Sequence, residues 1–149
     1  MRWTTVLIGT VLTVFAAGVL VLASRPSGTA VVDLVVGECF ELPVGLDAGE
    51  RPVAVVAAVA VVDCAAPHDA EVVLVGVVNP DHDREYPSDA ELFDELDQRC
   101  ATVAGRIRPG FGVLPIGPDL ATWRRLEGRF HCVALPLGGG RTTAAAMVD

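Results

Sequence analysis

The chain contains no lysine; its eleven basic residues are all arginine. That absence excludes a Ser-x-x-Lys pair and leaves Gly138-Gly139-Gly140-Arg141 without the lysine or the strand-to-helix setting of a phosphate-binding loop. Serine is also sparse, and neither Gly-x-Ser-x-Gly nor His-Glu-x-x-His occurs, so the familiar nucleophile and metalloprotease patterns are missing. No two cysteines stand in Cys-x-x-Cys spacing, which argues against a zinc ribbon or a thioredoxin-like centre. Positive charge is scarce as well: the net charge is -8, and every acidic residue lies beyond Ala23. A domain of that sign is repelled by nucleic acid and by anionic lipid, so neither is expected as a partner. No catalytic residue set and no cofactor is expected from these patterns.

What the chain does have begins at its amino terminus. Thr4 to Ala23 is an uncharged run of twenty residues, flanked by Arg2 and Arg25. At about 1.5 Å per helical residue it spans roughly 30 Å, the thickness of a bilayer's hydrocarbon core. We expect residues 1–25 to form a single membrane anchor with the C-terminal domain outside the cytoplasm. The competing reading is a signal peptide cleaved after Ala23, which would make the protein secreted. No cysteine near the end of the run offers a lipoprotein attachment point.

The four cysteines, Cys39, Cys64, Cys100 and Cys132, all follow the apolar run, as befits an exported, oxidised domain. Four cysteines permit three connectivities. We expect sequential pairing, Cys39 with Cys64 and Cys100 with Cys132, because each pair would then join elements read as packed neighbours. Each closure would contribute about 3 to 4 kcal/mol on the chain-entropy model.

Residues 26–30 read as a short linker, residues 31–137 as one domain and residues 138–149 as a flexible, poorly packed tail. Within the domain, Val31 to Val36 predicts a strand, and Leu42 to Pro52 a loop rich in Pro and Gly. Val53 to Val62 predicts a strand buried on both faces, and Glu71 to Val78 a third strand, antiparallel to it across a compact turn. Ser88-Asp89-Ala90-Glu91 is a capping box opening the one clear helix, whose stripe Phe93, Leu96, Cys100, Val103 and Ile107 faces the core, with Gly105 as its stop. Val113 to Ile116 predicts a short strand, Pro118-Asp119 a helical turn through Trp123, and Arg129 to Leu135 the last strand. The fold class is α+β: a membrane helix, then a small antiparallel sheet packed by one main helix and held by two disulfides.

Four of these segments together carry a family likeness. Gly37-Glu38-Cys39-Phe40, Cys64-Ala65-Ala66-Pro67-His68-Asp69-Ala70-Glu71, a helix bearing Cys100, and Pro118 to Trp123 ahead of Cys132 resemble the septum-formation domain family of Gram-positive actinobacteria. The likeness covers Gly37 to Leu135. It implies a small exported or membrane-anchored domain linked to cell division or envelope assembly, and it implies no reaction.

The turn Pro67, His68, Asp69, Glu71 is the candidate site. A histidine with two carboxylates is material for general acid and base work or for a metal. We expect it instead to be a structural or recognition turn, with the His68 ring bonded to backbone, Asp69 accepting backbone N–H groups and Glu71 paired with an arginine. A metal held by His68, His82 and Asp81 is the lesser alternative, and eight acids between Asp81 and Asp97 read as a solvated face rather than a cation patch. His131 alternates with Cys132 and points to the opposite face of its strand. Trp123, Arg124 and Arg125 form a candidate binding lip, with core packing of Trp123 as the commoner arrangement. The function expected is a non-catalytic interaction or scaffold domain at the cell envelope, bound to the membrane by its first helix and to division proteins, envelope proteins or cell-wall components. The alternatives are an envelope hydrolase using His68 with Asp69 or Glu71, and a redox protein with an exchangeable disulfide.

Overall fold

The computed structural model describes residues 28–42 and 58–148. The expected membrane anchor, the first residues of the expected linker, most of the Leu42 to Pro52 segment and the first half of the Val53 to Val62 run lie outside the described residues. Among the described residues no helix is long and apolar enough to cross a membrane.

The main helix begins where its capping box places it. In α1, Asp89–Ala101, the Ser88 hydroxyl accepts from the Glu91 N–H, and the Glu91 carboxylate accepts from the Ser88 N–H at 3.0 Å. The Ser88 hydroxyl also donates to that carboxylate at 2.7 Å, and this bond, with the one from the Ser88 N–H, holds the Glu91 carboxyl below the usual carboxylate range. Its buried stripe is Leu92, Leu96 and Cys100, continued by Val103, so Leu92 takes the core position expected of Phe93. The helix ends at Ala101, before Gly105, with Thr102 as its C-cap; Gly105 falls within a separate 3-10 turn, Ala104–Arg106.

Six strands form one antiparallel sheet in the order β1-β3-β2-β4-β6-β5. They are β1 (Thr29–Ala30), β2 (Cys39–Glu41), β3 (Ala58–Val62), β4 (Ala70–Val77), β5 (Phe111–Ile116) and β6 (Arg129–Pro136). A second helix, α2 (Leu120–Arg125), opens on Asp119, whose side chain accepts from the Thr122 N–H; that bond holds the Asp119 carboxyl below the usual range. The α+β class with one main helix and two disulfides is therefore as expected.

Two strand expectations need correction. Val31 to Val36 is not a strand: Val31–Asp33 is a 3-10 turn, Val31 and Leu34 are buried, and Val35 and Val36 remain more than half exposed. Its carbonyls find side chains instead of a strand partner, since Arg129 donates to Val32 O at 3.2 Å and His131 to Leu34 O at 3.1 Å. β3 and β4 are not neighbours either, because β2 lies between them and pairs with both. The described part of the Val53 to Val62 run buries only Val59, as the two-residue β1 on its outer side covers little of it.

Both faces of the sheet are packed. Val73, Phe130, Cys132 and Ala134 meet Leu92, Leu96 and Cys100 of α1, whereas Ala70, Val72, Val133 and Leu135 meet Val31, Leu34, Phe40 and Val59. Strict alternation along β6 sorts its side chains between the two. In β4 the register shifts between Val72 and Leu74, so Val73 and Leu74 both serve the helix face before Val75 returns to the other.

The tail is also better packed than expected. Thr142 bridges to His68 and Met147 to Ile107, and Ala146 is fully buried against the helix-side core. The glycines at 139 and 140 adopt positive φ, which lets the chain fold back over the Cys64 to Glu71 turn.

Candidate functional site

Sheet register builds the centre of the site. Cys39 of β2 stands directly opposite Glu71 of β4, and Cys39 is joined to Cys64 at the start of the intervening turn. The second bridge joins Cys100 of α1 to Cys132 of β6, so both pairings are the sequential ones expected. The turn is fastened at both ends: His68 N–H donates to Thr142 O at 2.9 Å, Thr142 N–H donates to His68 O at 2.8 Å, and Asp69 N–H donates to Phe40 O at 3.1 Å.

His68 is 1% exposed, and its Nδ1 lies 2.9 Å from the Ala66 carbonyl, so the ring bonds backbone as expected of a structural histidine. Carbonyl oxygen only accepts, which puts a proton on Nδ1, so in the neutral ring Nε2 carries the lone pair. That Nε2 is buried with no hydrogen-bond partner among the described residues, a state that costs about 1 to 3 kcal/mol when nothing donates to it. Asp69 accepts the Leu42 N–H at 2.9 Å, also as expected.

Among the described residues Glu71 has no arginine partner. Its Oε2 accepts the Ala146 N–H at 2.6 Å in a buried setting, while Arg141 reaches Asp69 at 3.9 Å and hydrogen-bonds Glu41 and the Pro67 carbonyl. The tail therefore supplies partners that the motif alone does not suggest; the only sequence signal for this was the glycine run ahead of Arg141 and Thr142.

The donor set His68, His82 and Asp81 is not brought together. His68 is buried in the turn, whereas Asp81 and His82 lie exposed, with His82 3.9 Å from Glu127. Among the described residues the grouping of potential metal ligands is Cys39, His68 and Glu71, which the sequence had not combined because Cys39 counted only as a bridge.

At the candidate lip, Trp123 takes the core position expected as its commoner arrangement. Trp123 is 2% exposed, donates from Nε1 to Arg84 O at 3.0 Å, meets Tyr86 edge-on at 5.5 Å and lies under the Arg84 guanidinium. Arg124 and Arg125 are exposed. An open depression of about 400 Å³ passes over this cluster, edged by Asn79, His82, Arg84, Tyr86 and Arg124. Arg84 donates to both carboxylate oxygens of Glu95, and that bond, with Arg99 on the other side, holds the Glu95 carboxyl below the usual range and raises the Arg84 guanidinium. Burial pushes the Tyr86 phenol up.

His131 points to the face opposite Cys132, as alternation requires. Burial pushes its imidazole below the ordinary 6.5, and nearby Arg129 adds to this against the Leu34 hydrogen bond. Such a histidine binds fewer protons folded than unfolded, so its contribution to stability is complete above pH 6.5 and is lost as pH falls toward the folded value. Urea midpoints will decline with acidification in this range, and His131→Gln will flatten that part of the decline. An unchanged slope in the variant would place the pH dependence elsewhere.

No protein-family model, curated protein or solved structure matches the chain.

Proposed function

We propose that this chain is a membrane-anchored, extracytoplasmic interaction domain of the cell envelope, of the septum-formation kind, acting without catalysis. The observation that carries this reading is the pair of disulfides tying the fold together downstream of an uncharged, membrane-length run. Both bridges join buried or half-buried cysteines of the sheet, the main helix and the Cys64 turn, which suits maturation in an oxidising compartment.

The convergence of the family-like residues supports the same reading. Cys39, from one family-like segment, meets Cys64, His68 and Glu71, from another, at one turn. The burial of His68 supports a structural use of that turn over hydrolysis, since a general base must come within hydrogen-bond reach of its substrate. The acidic surface favours protein or wall partners over nucleic acid.

Crosslinking in living cells with the full chain, followed by purification from the membrane fraction, tests the reading. Enrichment of wall-synthesis or division proteins, or of wall fragments, is expected, and its loss when residues 1–25 are replaced by a cytoplasmic tag. Recovery of the full chain from the cytosol with no such enrichment would refute the proposal.

A further inference from the structure

The Cys64 to Glu71 turn holds donor atoms that an interaction domain does not require. Sγ of Cys39, an imidazole nitrogen of His68 and a carboxylate oxygen of Glu71 lie within 4.8 Å of one another, and all three residues are buried. Nε2 of His68 has no hydrogen-bond partner among the described residues, while Nδ1 is anchored on the Ala66 carbonyl. Glu71 is anchored too, its Oε2 accepting from Ala146. Metal-bound imidazoles donate their second N–H to a carbonyl or carboxylate, and ligating carboxylates are themselves hydrogen-bonded, so both supports of a metal site stand in place. The sheet register sets Cys39 opposite Glu71, which makes the arrangement a property of the framework and not of a loose loop. One element is withheld: a thiolate binds metal, whereas the Cys39 sulfur is bonded to Cys64.

The geometry points to a divalent metal site of the zinc class that the Cys39–Cys64 disulfide keeps shut and its reduction opens. The ligands are the thiolates of Cys39 and Cys64, Nε2 of His68 and the carboxylate of Glu71. Two thiolates, an imidazole and a carboxylate make up a four-coordinate set that suits zinc better than the hard cations magnesium or calcium.

The two electrons come from a dithiol reductant. One of its thiolates attacks Sγ of Cys64, the sulfur–sulfur bond breaks, and Cys39 leaves with the electron pair as a thiolate. The second thiol of the reductant then attacks the mixed disulfide, releasing the Cys64 thiolate and closing the reductant's own disulfide. The two protons of the reductant pass to the freed thiolates or to solvent, and metal binding sends both to solvent. Attack falls on this bridge because Cys64 is only partly buried, whereas Cys100 and Cys132 are both buried in the helix-side core.

Cobalt(II), with zinc as competitor, tests the site on the full chain in detergent. The disulfide-closed chain is expected to give no thiolate-to-cobalt charge-transfer band. After dithiol treatment and anaerobic removal of the reductant, one equivalent of cobalt gives the band and zinc bleaches it. Cys64→Ser frees Cys39 with Cys100–Cys132 intact, and this variant gives the band without any dithiol. Glu71→Gln keeps an oxygen to accept the Ala146 N–H, yet it weakens zinc binding of the reduced chain by about tenfold or more, with unchanged circular dichroism. The proposal is overturned by a reduced, folded chain without the band, by undiminished affinity in Glu71→Gln, or by equal binding to the closed and reduced chains. Unfolding of both the reduced chain and Cys64→Ser would overturn it as well, because the site needs the sheet to hold its ligands.

Discussion

Removing the Cys100–Cys132 bridge by the double replacement Cys100→Ala and Cys132→Ala is expected to lower unfolding free energy by about 3 to 4 kcal/mol. The bridge spans 32 residues of sequence, so its loss returns a large loop's worth of freedom to the unfolded chain. It also joins the buried stripe of α1 to the centre of β6, where both sulfurs pack in the helix-side core with Leu96, Phe130 and Val73. Small domains are stable by only about 5 to 15 kcal/mol, so this one bond is a substantial share of the total. Urea denaturation at neutral pH measures it, with the midpoint falling and the bridge-free chain exposing more surface on unfolding. A loss below about 1 kcal/mol would mean that α1 is held to the sheet by its apolar contacts alone.

The second large effect is at Trp123. Trp123→Ala is expected to cost about 3 to 5 kcal/mol, the range for truncating a buried large aromatic. The ring fills the space against Val78 and Phe130, and it lies so close over Gly128 that a Cβ there would meet Cε3 at 3.0 Å. Its Nε1 also satisfies the Arg84 carbonyl, and its edge contact with Tyr86 adds directionality. Trp123→Phe keeps most of the apolar contact and loses the donor, so a smaller cost of about 1 to 2 kcal/mol is expected. A Trp123→Ala variant within about 0.5 kcal/mol of the parent would instead describe an exposed ring, the lip that the sequence suggested.

Local signals in the sequence carried much of this architecture. The Ser88 to Glu91 capping box, the Asp119 cap, the alternation through Arg129 to Leu135 and the sequential cysteine pairs each depend on residues whose geometry is settled within a few positions or by a covalent bond. What was not legible depends on distant partners. A run such as Val31 to Val36 has the β-branched content of a strand, but whether it pairs is decided by a neighbour, and here Arg129 and His131 bond its carbonyls instead. The insertion of β2 between β3 and β4 is invisible for the same reason, since apolar runs do not specify which edge they join.

The candidate site divides along the same line. The backbone bond of the His68 ring and the N–H accepted by Asp69 follow from turn chemistry that short sequence motifs express. The partner of Glu71 does not, because it is Ala146, 75 residues away in a tail of small residues with little hydrophobic signal. Those small side chains are what allow the tail to fit over the turn, and Ala146 is fully buried there. Trp123 sits beside two exposed arginines in sequence, which allowed a lip beside the commoner core packing, and the helix turns it inward between Arg84 and Gly128.

Peptide mapping without reduction, on the full chain recovered from the membranes of the cells that make it, tests the central claim most directly. The account predicts peptides linked Cys39 to Cys64 and Cys100 to Cys132, found in the membrane fraction. Recovery of the chain from the soluble cytoplasmic fraction with all four thiols free would contradict it.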